Sequence, residues 1–192
     1  LHLSLRRQRQ MCIRDSLERL ASVIQQKESN FETDLIFPII EKIIDISGGD
    51  YSKPDQKMAM KVIADHIRAI VVMISDGILP SNEGRGYVLR RILRRAVRYG
   101  RLLGITHIFM SSLVDTVIAI LGDEYPELNE YKGLIKQVID TEEKQFSSTL
   151  AQGLDLLQQM MEESAATKSL SGEAVFKLYD TYGFPYELTE EI

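Results

Sequence analysis

From Leu17 onward, apolar residues recur at steps of three and four, the spacing that gathers them on one face of a helix and leaves polar residues on the other. Leu17, Leu20, Ala21 and Ile24 predict a first helix to about Lys27, broken by the polar stretch "ESNFETD". Asp34 is placed to cap the next helix, whose wide apolar face holds Leu35, Ile36, Ile39, Ile40, Ile43 and Ile44; Gly48 and Gly49 supply its stop. A long third helix begins with Pro54 in its first turn and carries Met58, Val62, Ile63, Ile67, Ile70, Val71 and Ile74 as a buried stripe. After an arginine-rich helix, further helices are predicted over about 109–121, about 127–163 and near "GEAVFKLY", with "EESAATKS" as a polar loop and "DTYGFP" as a turn. No convincing strand pattern appears, so the expected fold class is all-α, a helical bundle.

The arginine-rich helix is the most sharply divided. Stepped at about 100° per residue, Val88, Leu89, Ile92, Leu93, Ala96 and Val97 fall on one half of the cylinder. Arg90, Arg94, Arg98 and Arg101 form one row on the other half, and Arg91 and Arg95 form its neighbour. Like charges four residues apart repel by a few tenths of a kcal/mol per pair unless something negative meets them. Two partners fit. Beyond residue 122 acids outnumber lysine and arginine by about three to one, so the protein's own carboxylates can neutralise the row. The other partner is nucleic acid, because every base from Arg85 to Arg101 is arginine, whose planar fork pairs bidentately with phosphate and stacks on bases. The net charge of −5 does not oppose that, since a local basic stripe is what an anionic backbone meets.

Composition sets outer limits. With 192 residues and 44% apolar content, the chain suffices for one substantial core, or for one domain and part of a second. No apolar run is long enough to cross a bilayer, and the leader lacks the apolar middle of a secretory signal, so a cytoplasmic protein without a membrane partner is expected. Cys12 is the single cysteine, which excludes an internal disulfide framework and a thiolate metal cage. Residues 1–16 show no helical or strand period and read as a non-native leader or a basic extension. The first residue, Leu1, and the final "TEEI" read as the ends of a piece of a longer parent.

In front of the arginine helix, "PSNEGRGY" sets Ser81 and Asn82 before Gly84 and Gly86, residues that permit close backbone approach or positive φ. By itself Asn82 reads as a capping or turn residue, and Asp180 in "LYDTYG" as a turn-forming Asx residue. The longer stretch "KVIADHIRAIVVMISDGILPSNEGRGYVLRRILRRAVRYGRLLG", continuing through "TEEKQFSSTL" to "LYDTYGFPYELT", resembles the tRNA-recognition region of alanyl-tRNA synthetases. The resemblance covers nearly all of residues 17–192.

That resemblance implies a class II synthetase parent that activates alanine with ATP and Mg²⁺ and esterifies the terminal adenosine of tRNA(Ala). It implies that residues 17–29 end the catalytic domain with the motif 3 helix, and that residues 30–192 form most of a helical tRNA-recognition domain. In such enzymes an asparagine and an aspartate approach a G·U wobble pair in the acceptor stem from its two grooves, and the matching positions are Asn82 and Asp180. A-form RNA displays base edges in its shallow minor groove, where the guanine amino group of a G·U pair lacks its usual partner. Arg85, Arg90, Arg91, Arg94 and Arg98 are then expected on phosphates and sugars, contributing affinity and register. "LERL" matches the end of motif 3, with Arg19 as the arginine on the ATP γ-phosphate, although "CIRDS" stands where the family has a glycine-bearing strand. Motifs 1 and 2, the alanine pocket and the zinc-bearing editing domain have no counterpart in the 192 residues. Aminoacylation by this segment alone is therefore not expected, nor is any cofactor, metal or DNA bound by it.

The remaining residues point to no chemistry of their own. His66 in "ADHIR" lacks a second ligand one turn on, and His107 has no partner in sequence. Tyr179, Tyr182, Phe184 and Tyr186 bracket a turn as core pins or as stacking platforms for a terminal base. A freestanding, non-catalytic RNA-binding or adaptor module stays open as the alternative to a synthetase segment.

Overall fold

Isoleucines repeating on one face of successive helices give this chain its core. A computed structural model describes residues 17–163 and 169–180, together with Phe184 and Thr189. Its α-helices run in the order α1 (Leu17–Ile24), α2 (Phe37–Ser47), α3 (Pro54–Ser75), α4 (Gly84–Leu102), α5 (Val114–Leu121), α6 (Glu127–Glu130), α7 (Lys132–Glu163) and α8 (Gly172–Asp180). Short 3-10 turns occupy Asn30–Glu32 and Met110–Leu113. Among the described residues there is no strand, and the all-α class is correct.

α3 is the central rod. Ala59, Met60, Ile63, Ala64, Ile67, Ile70, Val71 and Ile74 are buried along it, and α4 packs against it through Leu89, Leu93, Ala96 and Val97. Ile39, Ile40 and Ile43 of α2, Val114 and Val117 of α5, and Ile135, Ile139 and Phe146 of α7 complete one connected core. Each large aliphatic residue buried there contributes about 1.5–3 kcal/mol relative to exposure. The expected stripe on α3 is shifted in register. Met58 is exposed and Val62 only half-buried, because Met58 lies about 180° round the helix from Ile67, while Ala59, Met60 and Ala64 fall on the packed side.

Several boundaries also differ from the pattern. Asp34 does not cap α2, which starts from Ile36 without a side-chain cap and has Pro38 in its first turn. Asp34 is instead exchanged with Gln25, which donates to its Oδ1 at 2.6 Å and accepts from its backbone N–H at 3.2 Å. This pair ties the end of α1 to the turn before α2, and a 2.9 Å ion pair from Glu18 to Arg68 ties α1 to α3. The region expected as one helix over about 109–121 is a 3-10 turn followed by α5, and Tyr131 separates α6 from α7. Asp180 is the last residue of α8; residues 181–183 and 185 of "DTYGFP", expected as a turn, lie outside the described residues. Phe184 is buried, and its N–H bonds the Leu178 carbonyl at 3.0 Å.

Candidate nucleic-acid interface

The turn before α4 folds back over the first turn of the helix. Gly84 sits at φ +58°, a left-handed conformation that a side chain disfavours. Gly86 is buried against the same turn: a Cβ there would stand 2.3 Å from the Leu79 carbonyl oxygen and 2.3 Å from Ser81 Oγ. Ser81 donates to the Glu83 carbonyl at 2.8 Å, which fixes the bend. These constraints leave Asn82 exposed at the mouth of α4.

Asn82 is held by the helix it precedes. Arg90 reaches back along α4, and its Nη1 donates to Asn82 Oδ1. Arginine has no acceptor, so the amide oxygen must face Arg90, and the amide NH₂ and the second lone pair point elsewhere. Arg90 is anchored in turn, its Nε lying 3.4 Å from Glu142 Oε1 on α7 as an ion pair without hydrogen-bond alignment. Arg94 makes the stronger contact to the same oxygen, a 2.8 Å hydrogen bond from Nε. The Glu142 side chain is 5% exposed, against 22% for Arg90 and 20% for Arg94. Arg94 also stands 5.1 Å from the centre of the Phe146 ring, a cation–π contact one α7 turn beyond Glu142. Arg101 continues the series by donating to the Ile105 carbonyl at 3.1 Å and to Ser147 Oγ at 3.0 Å.

The arginines therefore do not all face outward. Arg90, Arg94 and Arg101 lie about 60–100° round α4 from Leu93, on the flank of the buried face where α7 packs. Arg91 and Arg95 lie about 160–200° from Leu93 and are exposed, as is Arg85. The Arg95 and Arg98 guanidinium groups stand 5.9 and 5.8 Å from the centre of the Tyr99 ring. Val88, expected on the buried half, is exposed beside Arg91 and Arg95. An internal carboxylate thus meets Arg90 and Arg94, while Arg85, Arg91 and Arg95 stand on the exposed face of α4.

Sequence reasoning missed Glu142 and Glu143, and it placed Arg95 on the arginine half of the helix without expecting it on phosphates and sugars. A signal for the two acids was present, because they interrupt the three- and four-residue spacing of Ile135, Ile139, Phe146 and Leu150 on the buried stripe of α7. Glu143 accepts from the Phe109 N–H at 3.1 Å and the Met110 N–H at 3.0 Å, stapling the Met110–Leu113 turn to α7. Burial pushes its carboxyl up to about 7, against the opposing pull of those two N–H groups.

Other residues singled out in the sequence lie apart from this cluster. Arg19 is exposed on α1, which packs on the Asn30–Glu32 turn. Asp180 ends α8, a helix in contact with α7; its side chain lies outside the described part. His66 Nδ1 is 3.1 Å from Asp65 Oδ2, and that hydrogen bond holds the Asp65 carboxyl below its usual range. Tyr179 and His107 are exposed, whereas Tyr182 and Tyr186 lie outside the described residues. Among the described residues, no group of three or more His, Cys, Asp or Glu comes together as a metal site, and no helix is long and apolar enough to cross a membrane.

Comparison with known proteins agrees with the reading of the motifs. The family described as tRNA synthetases class II (A) matches residues 13–192. The chain is 52% identical over 179 residues to an alanine–tRNA ligase of Fusobacterium nucleatum, an alignment covering 92% of this chain and 21% of that protein. It is 56% identical over 178 residues to the alanine–tRNA ligase of Bacillus velezensis, covering 91% and 20%, and 53% identical over 178 residues to that of Staphylococcus aureus, covering 92% and 20%. The chain thus spans about a fifth of the length of the curated relatives it matches. With the family match running through the arginine helix, the turn before it and both buried acids of α7, this chain belongs to the class II (A) tRNA synthetases.

Proposed function

We propose that this chain is the acceptor-stem-reading part of an alanine–tRNA ligase, in which Asn82 inspects a G·U wobble pair while the exposed arginines of α4 hold the duplex. The observation that carries the proposal is the exposed Asn82 amide, oriented by Arg90 at the mouth of a helix whose outer face is cationic. Two donors and one lone pair on such an amide suit the minor groove of A-form RNA, which offers base acceptors, a guanine amino group and ribose 2′-hydroxyls. Arg85, Arg91 and Arg95 supply the phosphate attraction that makes binding tight but indifferent to sequence. Arg98 joins them beside Tyr99, and Arg90 and Arg94 serve chiefly to build the site.

In the same proposal, Asp180 approaches the pair from the other groove. Arg19, exposed on α1, contacts the γ-phosphate of ATP. ATP with Mg²⁺, alanine and the aminoacylation chemistry belong to the whole ligase, as does zinc in an editing domain, and the setting is the cytoplasm. This segment contributes recognition and is not catalytic by itself.

The test is a titration of the full chain with two RNA hairpins that differ only in carrying G·U or G·C at the wobble position. The G·U hairpin is expected to bind tighter, and Asn82→Ala to shrink the difference by about 1–3 kcal/mol, the scale of one lost base contact. Equal affinity for the two hairpins would overturn the proposal.

A further inference from the structure

Glu142 occupies a position where a charge is costly. It lies on the buried stripe of α7, three residues after Ile139 and four before Phe146, and is 5% exposed. A carboxylate there persists only if it is paired. Its Oε1 meets Arg94 at 2.8 Å and Arg90 at 3.4 Å, and Arg90 in turn donates to Asn82 Oδ1. Three side chains from α7, α4 and the turn before α4 therefore make a continuous line from the core to the exposed amide.

We infer that Glu142 is a positioning residue for base-pair reading: through Arg90 it fixes which way the Asn82 amide faces. The inference rests on the reading of Asn82 given above. A carboxamide has two ends of similar shape and opposite hydrogen-bonding sense, so an unrestrained Asn82 would present a donor and an acceptor interchangeably. Arg90 removes that ambiguity because it can only donate. Its own stem is long and flexible, however, and needs an anchor at the far side of the guanidinium. Glu142 is that anchor, with its carboxylate held in place by Arg94, whose guanidinium is in turn backed by Phe146. A lysine at position 90 has one nitrogen and cannot hold both partners through separate arms of a planar fork.

The same geometry separates positioning from simple support. Glu142 cancels part of the positive potential of α4, so removing its charge strengthens attraction to any phosphate backbone while releasing Asn82. Discrimination and general affinity then move in opposite directions, whereas a loss of fold lowers both.

The experiment uses the full chain with Glu142→Gln and Arg90→Lys. Glu143→Gln serves as the comparison, a neighbouring core carboxyl that touches the Met110–Leu113 turn and not this line. One arm records the side-chain amide NMR signals of Asn82 in the free protein, identified by their loss in Asn82→Ala. The other measures binding of the G·U and G·C hairpins. Glu142→Gln and Arg90→Lys are expected to shift the Asn82 amide pair, and Glu143→Gln to leave it in place. The preference for G·U is expected to fall about tenfold in both, while Glu142→Gln binds the G·C hairpin at least as tightly as the parent. An unmoved Asn82 signal, or an intact preference, overturns the inference. If Glu142→Gln fails to fold by circular dichroism, Arg90→Lys decides on the same readouts. A parent protein without preference refutes the reading of Asn82, and the NMR arm still decides whether the line to Glu142 exists.

Discussion

Arg94 Nε donates to Glu142 Oε1 at 2.8 Å across the contact between α4 and α7, joining the basic helix to the core of the same protein. Arg94 is therefore first a structural residue. Arg94→Ala leaves Glu142 nearly buried with only the 3.4 Å ion pair to Arg90, and stability is expected to fall by about 2 kcal/mol, somewhat less than the ~3–5 kcal/mol of a buried charge left wholly unpaired. Urea unfolding of Arg94→Ala beside the parent measures this, and a midpoint unchanged within error contradicts it.

Arg95 and Arg91 should behave in the opposite way. Both side chains are on the exposed face of α4, and truncation of Arg95 is expected to change stability by less than about 0.5 kcal/mol. Each substitution by alanine should weaken G·U and G·C hairpins alike and reduce the slope of log affinity against log salt by about 1. Hairpin titrations over a range of salt concentrations check the pair, with Arg94→Ala predicted to alter the slope less than Arg95→Ala.

Glu143 gives the protein a pH dependence of known sign. Burial raises its carboxyl to about 7 in the folded state, so the folded protein holds that proton more tightly than the unfolded chain does. Its contribution is fully present below the ordinary glutamate range and is lost as pH rises from about 4.5 through about 7, by up to roughly 3 kcal/mol. Asp50, Asp65 and Asp115 have lowered carboxyls and act in a separate window, losing stability as pH falls below about 4. Glu143→Gln keeps an acceptor for one of the two backbone N–H groups and cannot ionise. Its unfolding midpoint is expected to vary less between pH 5 and pH 8 than the parent's; an identical pH profile would remove Glu143 as the cause.

Gly86→Ala tests the turn that carries Asn82. Alanine ordinarily favours a helix by about 1 kcal/mol over glycine, yet here its Cβ meets the Leu79 carbonyl and Ser81 Oγ, both at 2.3 Å. The contact with backbone cannot be relieved by a rotamer change, so the turn must move off α4. The expected result is a reduced preference for the G·U hairpin with the helical circular dichroism signal retained. Retention of the full preference would show that the turn tolerates displacement.

Much of the fold could be read along the chain. The recurring isoleucines of α2 and α3 placed both helices, because a 3.6-residue period is a local property that survives packing. Met58 was misplaced because an apolar residue carries no mark of whether its side meets a neighbour, and Met60 with two alanines took the packed face. Asp34 was misread as a cap because its bonding to Gln25 depends on how the chain turns after α1. The Met110–Leu113 turn is held at its start by a carboxylate more than thirty residues away in sequence, which no local pattern reports.

Sequence alone determined the all-helical class, the division of α4 into apolar and arginine halves, and the Asn82 turn with its two glycines, because helix periodicity and backbone constraints are set by neighbouring residues. Only the tertiary structure decided which arginines turn inward. Arg90 and Arg94 look like Arg91 and Arg95 in sequence; what separates them is the approach of α7, which brings a buried Glu142 to one flank of α4 and leaves the other to solvent.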